Sequence, residues 1–183
     1  MQSETAEGEA RFMGQVAGLN HAVLFVRDLM RSLRFYREVL GLELVEEMQG
    51  RAAFLRAPGS SRHHELGLVE VGGAAAASPP GAVGLYHLAW EVASIEELAA
   101  LRDELVQVGA YVGASDHGVS KSVYARDPDG IELEVMWPLP REEWGEMEHR
   151  QLVDPLDLET ELARWGGQGR QGVQQGEQRV RGA

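Results

Sequence analysis

Apolar and polar positions between Leu19 and Trp137 run through the same succession twice. Each round has a short apolar run, an amphipathic stretch with helical spacing, and then three short strand-like segments divided by glycine, proline or serine. In the first round LNHAVLFV reads as a buried strand. Asp28 is placed to cap a helix through Leu40, with Leu29, Leu33, Tyr36 and Leu40 on one stripe and Gly41 as the stop. LELVEEMQ, AAFLRAP and HHELGLVEV follow as strands, giving the order βαβββ. The segment GGAAAASPPG, residues 72–81, has the small, proline-containing character of a linker.

The second round opens with YHLAWEV. Ser94 and Glu97 form an S-x-x-E capping pair ahead of Ile95, Leu98, Leu101 and Leu105, and Gly109 ends that helix. Strands are predicted at YVGA, KSVYARD and GIELEVMW, and Asp127-Pro128-Asp129-Gly130 supplies a tight turn that makes the last two a hairpin. Past Pro140, VDPLDLETELARW predicts a short helix with Leu158, Leu162 and Trp165 on one face, and the polar, glycine-rich last eighteen residues are expected to be disordered. The organisation read from this pattern is a flexible tail over 1–16, one domain over 17–140 with modules at about 19–71 and 84–139, and an extension over 141–183.

The register of the repeat carries the chemistry. Leu19-Asn20-His21-Ala22-Val23 matches Leu85-Tyr86-His87-Leu88-Ala89 at a constant offset, so a histidine opens each module at the same place. Two modules packed about a pseudo-twofold axis bring such positions face to face across a shared concave sheet. Two converging imidazoles then need one carboxylate to hold a metal ion.

Composition narrows the partners. The chain has 183 residues, 44% hydrophobic and 25% charged, enough for one globular core. A net charge of -12 without a basic cluster disfavours nucleic acid and anionic membranes, which leaves small molecules. With no cysteine, a metal must be bound by nitrogen and oxygen, and neither thiolate catalysis nor disulfides arise. The acidic start and the lack of a long apolar stretch lead to the expectation of a cytoplasmic protein.

The doubled βαβββ plan, HAVLFVRDL behind a leading leucine, YHLAWEV, and a DPDG turn four residues ahead of a glutamate together resemble the vicinal oxygen chelate superfamily, over about Gln15 to Pro140. The resemblance implies an α+β fold in which two tandem modules form one cupped mixed β-sheet with helices outside. It is strongest to single-cup catechol 2,3-dioxygenases. It implies metal ligands at His21, His87 and Glu134, a two-His, one-carboxylate triad on Fe(II), or on Mn(II) in its place, with open positions for a catecholate and dioxygen. Glu132 shares a strand face with Glu134 and competes for the carboxylate role. The catalytic residues implied are His64 as acid-base and His117 and Tyr124 as hydrogen-bonding partners of the substrate oxygens. His63 is read as structural, and His149 has no assigned role. Val23, Phe25, Ala89 and Met136 alternate onto the ligand face as cavity lining. The partners implied are a catechol-type substrate, dioxygen and further copies of the chain.

The same superfamily includes metal-dependent isomerases of the glyoxalase I kind, epimerases, and metal-free drug-binding proteins. A glyoxalase-like site needs a second glutamate from the first module, for which Glu65 or Glu70 are the candidates. Superposing HELGLV on IELEVM instead sets Gly67 opposite Glu134 and leaves that place empty, although a one-residue slip would change the face.

Overall fold

A computed structural model describes residues 15–77, 79, 81–150 and 152–167. Of the tail expected over 1–16, residues 1–14 lie outside the described residues, and so do residues 168–183 of the disorder expected over 166–183.

The first module consists of β1 (Ala22–Val26), α1 (Leu29–Arg34), β2 (Glu43–Met48), β3 (Ala52–Arg56) and β4 (Leu66–Glu70). Asp28 caps α1 as expected, its carboxylate accepting from Arg31 N at 2.9 Å. The helix does not run on unchanged to Leu40. It widens into a π-helical turn over Phe35–Val39, closed by Leu40 N on Phe35 O at 3.4 Å, and this turn seats Phe35 and Tyr36 side by side in the core. Gly41 then turns the chain with φ of 72°.

The second module has β5 (His87–Glu91), α2 (Ile95–Gln107), β6 (Tyr111–Asp116), β7 (Ser120–Arg126) and β8 (Glu132–Pro138). Ser94 Oγ accepts from Glu97 N, and the Glu97 carboxylate accepts from Ala93 N at 2.9 Å, so the pair caps the N-terminus of α2 reciprocally. Beyond it come two 3-10 turns, Arg141–Glu143 and Gly145–His149, then β9 (Asp154–Pro155) and α3 (Leu158–Trp165). α3 packs on α2 and buries Leu158 and Trp165, the face expected from the spacing.

The α+β class and the doubled module stand as read from the sequence. Within one chain, however, the strands form two mixed sheets, ordered β1-β4-β3-β2 and β5-β8-β7-β6-β9. β1 and β5 pair only with β4 and β8, so each is the free edge of its own sheet. The modules are joined elsewhere. Leu24, Val26, Leu29, Leu33 and Tyr36 share one apolar core with Ile95, Leu98, Val123 and Leu133.

Two aspartates of the DPDG turn lock the modules. Asp127 accepts from Asp129 N, Ile131 N and the Tyr36 hydroxyl, the last at 3.0 Å from the other module. Burial, and then the neighbouring Asp127 carboxylate, raise the Tyr36 phenol well above its ordinary range, so it stays protonated and donates. Asp129 accepts from Arg27 N at 3.0 Å and from the guanidinium groups of Arg27 and Arg31 at 3.2 and 2.7 Å. Its side chain is only 6% exposed, whereas those of the two arginines are 27% and 42% exposed, so water would replace part of what is lost on its removal. Asp129→Ala is therefore expected to lower unfolding free energy by about 1–3 kcal/mol, less than a fully buried pair would cost. Urea unfolding followed by tryptophan fluorescence measures this, and an unchanged midpoint would remove the locking role.

Candidate metal and active site

The strand pairing decides which acidic side chains meet the two histidines. β1 and β4 run parallel with Val23 opposite Gly67, while β5 and β8 run parallel with Ala89 opposite Glu134. Val23 and Ala89 hold equivalent places in the repeat, so Gly67 is the structural counterpart of Glu134, as the superposition of the two motifs anticipates. The place is empty of a side chain, and a Cβ on Gly67 would lie 3.2 Å from Val23 Cγ2 and 3.5 Å from Phe54, so Val23 would have to give way slightly.

The other two glutamates weighed for a fourth ligand are engaged in the backbone. Glu65 accepts from Ala57 N at 2.9 Å and from the Ser60 hydroxyl, bracing the loop between β3 and β4, and Glu70 accepts from Leu29 N at 2.8 Å at the start of α1. A two-His, two-Glu site thus lacks its second carboxylate. Glu65→Gln is expected to keep the wild-type metal content while losing about 1 kcal/mol of stability with its loop bonds. Metal analysis of that variant checks the point, since a fall in stoichiometry would make Glu65 a ligand.

In the second module the sequence candidates converge. His87 Nε2 lies 3.2 Å from Glu134 Oε2, and the other Glu134 oxygen lies 3.2 Å from the Tyr124 hydroxyl and 3.7 Å from His117 Nε2. Tyr124 is paired with Glu134 across β7 and β8, which is why strand alternation carries both to the His87 face. Glu132 faces Arg126 at 3.7 Å instead. Burial, and then the Glu134 carboxylate, push the Tyr124 phenol up to about 12, so it remains a proton donor through the neutral range.

His117 is oriented by a group that sequence reading missed. Its Nδ1 lies 2.7 Å from the Leu152 carbonyl, which only accepts, so Nδ1 carries a proton, and its Nε2 lies 2.7 Å from the oxygen of the Tyr124 hydroxyl that donates to Glu134. The carbonyl belongs to the extension just ahead of β9, which pairs with β6 through Ser115 and Asp116. No side-chain pattern marks a backbone acceptor, so no sequence signal could have found it. Nitrogen NMR of the intact protein is expected to find the Nδ1-protonated tautomer of His117; the Nε2-protonated form would rule this arrangement out.

His21 and His64 sit apart from that group, in the first module. Their rings are 4.6 Å apart, and His64 also lies 5.0 Å from the Phe54 ring and shares an Nδ1 to Nδ1 hydrogen bond of 3.0 Å with His63. Asn20 Oδ1 accepts from His21 Nδ1 at 2.8 Å, which leaves His21 Nε2 with a free lone pair. Partial desolvation, and then the neighbouring His21 and His63, hold the His64 imidazole below its ordinary value, so it is neutral and able to accept a proton at neutral pH. Among the described residues no three His, Cys, Asp or Glu side chains are gathered as one ion would require. The triad expected from the sequence is therefore split, with His21 in one cluster and His87 and Glu134 in the other. His149 ends the second 3-10 turn, in neither cluster.

A family model, described as Glyoxalase/Bleomycin resistance protein/Dioxygenase superfamily, matches residues 18–135. The chain belongs to this superfamily. It is 35% identical over 127 residues to a catechol-2,3-dioxygenase of Bacillus subtilis, covering 69% of this chain and 43% of the relative. It is 30% identical over 140 residues to an iron-dependent extradiol dioxygenase of Rhodococcus jostii, covering 68% and 44%. The chain thus spans less than half the length of these curated relatives. A crystal structure of a glyoxylase/bleomycin resistance protein/dioxygenase domain from Frankia superposes with a TM-score of 0.59 at 28% identity, covering 68% of this chain and all of the other. Among the described residues no helix is long and apolar enough to cross a membrane.

Proposed function

We propose that this superfamily member is an extradiol dioxygenase that opens a catechol-type ring with dioxygen, using Fe(II), or Mn(II) in its place, held by His21, His87 and Glu134. The observation that carries the reading is the approach of His87 Nε2 to Glu134 Oε2 at 3.2 Å. An imidazole nitrogen and a carboxylate oxygen this close would both be able to hold one divalent ion. The donor set of imidazole and carboxylate suits a hard-to-borderline ion, and the likeness to named dioxygenases agrees with it.

When bound, the metal supplies a Lewis-acidic, redox-active anchor for the two hydroxyls of the diol and for dioxygen. The chain handles protons and position. His64, neutral and hydrogen-bonded through Nδ1, accepts the second catechol proton at Nε2. Tyr124 and His117, linked by their 2.7 Å hydrogen bond, hold a proton beside the Glu134 carboxylate and position the substrate oxygens. Val23, Phe25 and Met136 share the ligand face and give the ring an apolar wall. Both atoms of one dioxygen enter the product, a ring-opened semialdehyde acid, so one dioxygen is consumed per ring cleaved. The remaining partners are a small molecule and further copies of the chain, in a soluble cytoplasmic protein.

Anaerobic titration with Fe(II) and with Mn(II), followed by metal analysis after desalting, is expected to give one tightly held ion per chain. Absence of both ions from the desalted protein would defeat this reading. Retention of Ni(II), Co(II) or Zn(II) with isomerase activity would favour the glyoxalase-like alternative.

A further inference from the structure

We propose that Lys121 is a positioning residue for the candidate active site: its buried ammonium ties the C-terminal extension to the turn that carries His117, and so sets where the His117 ring stands beside Tyr124. The proposal rests on the role given above to His117 and Tyr124, and gives the extension a task in that site.

Lysine occurs once in this chain, against sixteen arginines, and that single lysine is buried, its side chain 6% exposed on β7. Lysine is seldom buried without a partner, and a compact ammonium with three donors fits where a planar guanidinium fork does not. Two carboxylates meet it. Asp116 Oδ2 lies 2.5 Å from Lys121 Nζ, and Glu161 Oε2 of α3 lies 3.5 Å from it.

Each carboxylate belongs to a different part of the fold. Asp116 faces Lys121 across the β6–β7 pair, and its other oxygen accepts from Gly118 N at 2.7 Å, which shapes the turn just after His117. Gly118 holds φ of 79°, and a Cβ there would lie 3.3 Å from both Leu152 Cδ1 and Met147 Cγ, so the extension is seated directly on the turn. Glu161 also accepts from Trp165 Nε1 at 3.0 Å, and the Trp165 ring lies 5.8 Å from that of Trp137 on β8. One ammonium therefore holds the turn through Asp116 and the extension through Glu161.

The His117 ring sits where these two parts meet. Its Nδ1 is 2.7 Å from the Leu152 carbonyl of the extension, and its Nε2 is 2.7 Å from the Tyr124 hydroxyl on β7. A ring that bridges two separately built elements keeps both contacts only while those elements stay in register. Strand alternation turns Lys121 to the opposite face of β7 from Tyr124, so it fixes that register without touching a reacting group. A misplacement of about 1 Å, even from a change far from the chemistry, can cost on the order of 10²-fold in rate.

The absence of cysteine from the chain permits a clean test by rescue. The Lys121→Cys variant is unfolded in urea, its thiol is alkylated either with bromoethylamine, which restores an ammonium of nearly the same reach, or with iodoacetamide, which leaves a neutral amide, and each product is refolded. Unmodified and amide-bearing proteins are expected to keep their metal content and lose about 10²-fold in kcat, and the aminoethylated protein to recover most of it. Nitrogen NMR of the metal-free proteins should show the His117 Nδ1 proton held in its hydrogen bond in the wild type and the aminoethylated protein, and exchanging freely with water in the other two. A His117 signal unchanged in folded Lys121→Cys protein would overturn the proposal, as would a kcat that aminoethylation of the refolded protein fails to raise. Glu161→Gln needs no refolding and keeps an oxygen for Trp165 Nε1; it is expected to move the His117 signal in the same direction, and an unmoved signal there also counts against Lys121. A wild-type protein that turns over no diol would bring down the dioxygenase reading, and the His117 signal would still decide the role of Lys121.

Discussion

Glu134→Gln protein is expected to lose metal affinity by at least ~100-fold, the upper end of what removing even an outer-shell partner costs. Among the described residues Glu134 is the one carboxylate within 4 Å of the His87 ring nitrogens, and the same side chain also meets Tyr124 and faces His117, so its replacement changes three contacts at once. One consequence is readable without any metal. Burial contributes most to the high Tyr124 pKa and the Glu134 charge contributes next, so neutralising the glutamate should bring the phenol down from about 12 toward, but not to, the ordinary tyrosine value. Ultraviolet titration of the metal-free protein gives the answer. A variant with unchanged metal affinity would transfer the carboxylate role to Glu132, and an unmoved tyrosine would show that the two groups do not face each other in solution.

His64→Gln should behave in the opposite way, keeping its metal and losing turnover by about 10²–10⁴-fold, the usual contribution of a positioned acid-base group. The side chain lies against His21 and Phe54, from the loop ahead of β4. The lowered His64 pKa sets the sign of the pH dependence: the base is present above that value and is lost as pH falls through it, so the acid limb of kcat should lie below histidine's ordinary range and disappear in the variant. Loss of metal from His64→Gln would make this residue a ligand, and unaltered turnover would make it a bystander.

Local chemistry made much of the fold legible. Asp28 and Ser94 cap their helices because a side-chain oxygen meets its own first turn, and the Asp127-Pro128-Asp129-Gly130 turn closes on itself through bonds within five residues. The correspondence of Gly67 with Glu134 was readable because a repeat fixes register without knowledge of contacts. Three features were not readable, each for a physical reason. The π-helical turn at Phe35–Val39 depends on what Tyr36 meets across the core, namely Asp127. The orientation of His117 depends on the Leu152 backbone carbonyl. The falling of His21 and His87 into separate groups depends on how two complete modules dock, through a shared apolar core and contacts such as Asp129 with Arg27 and Arg31, about a hundred residues apart, that leave no periodic trace.

An apolar cleft stands outside the proposed site. The cleft lies between the modules, lined by Leu40, Leu42, Pro58, Trp90 and Leu101. Trp90 alternates with His87 and Ala89 along β5, so the cleft is on the opposite face of that strand from the ligands.

The most direct measurement is oxygen consumption by protein loaded anaerobically with Fe(II), shared over a panel of substituted catechols, with the ring-opened product followed by its visible absorbance. The account predicts one dioxygen consumed per molecule of coloured product for at least one catechol. Iron-loaded protein that consumes no dioxygen with any of them would contradict it.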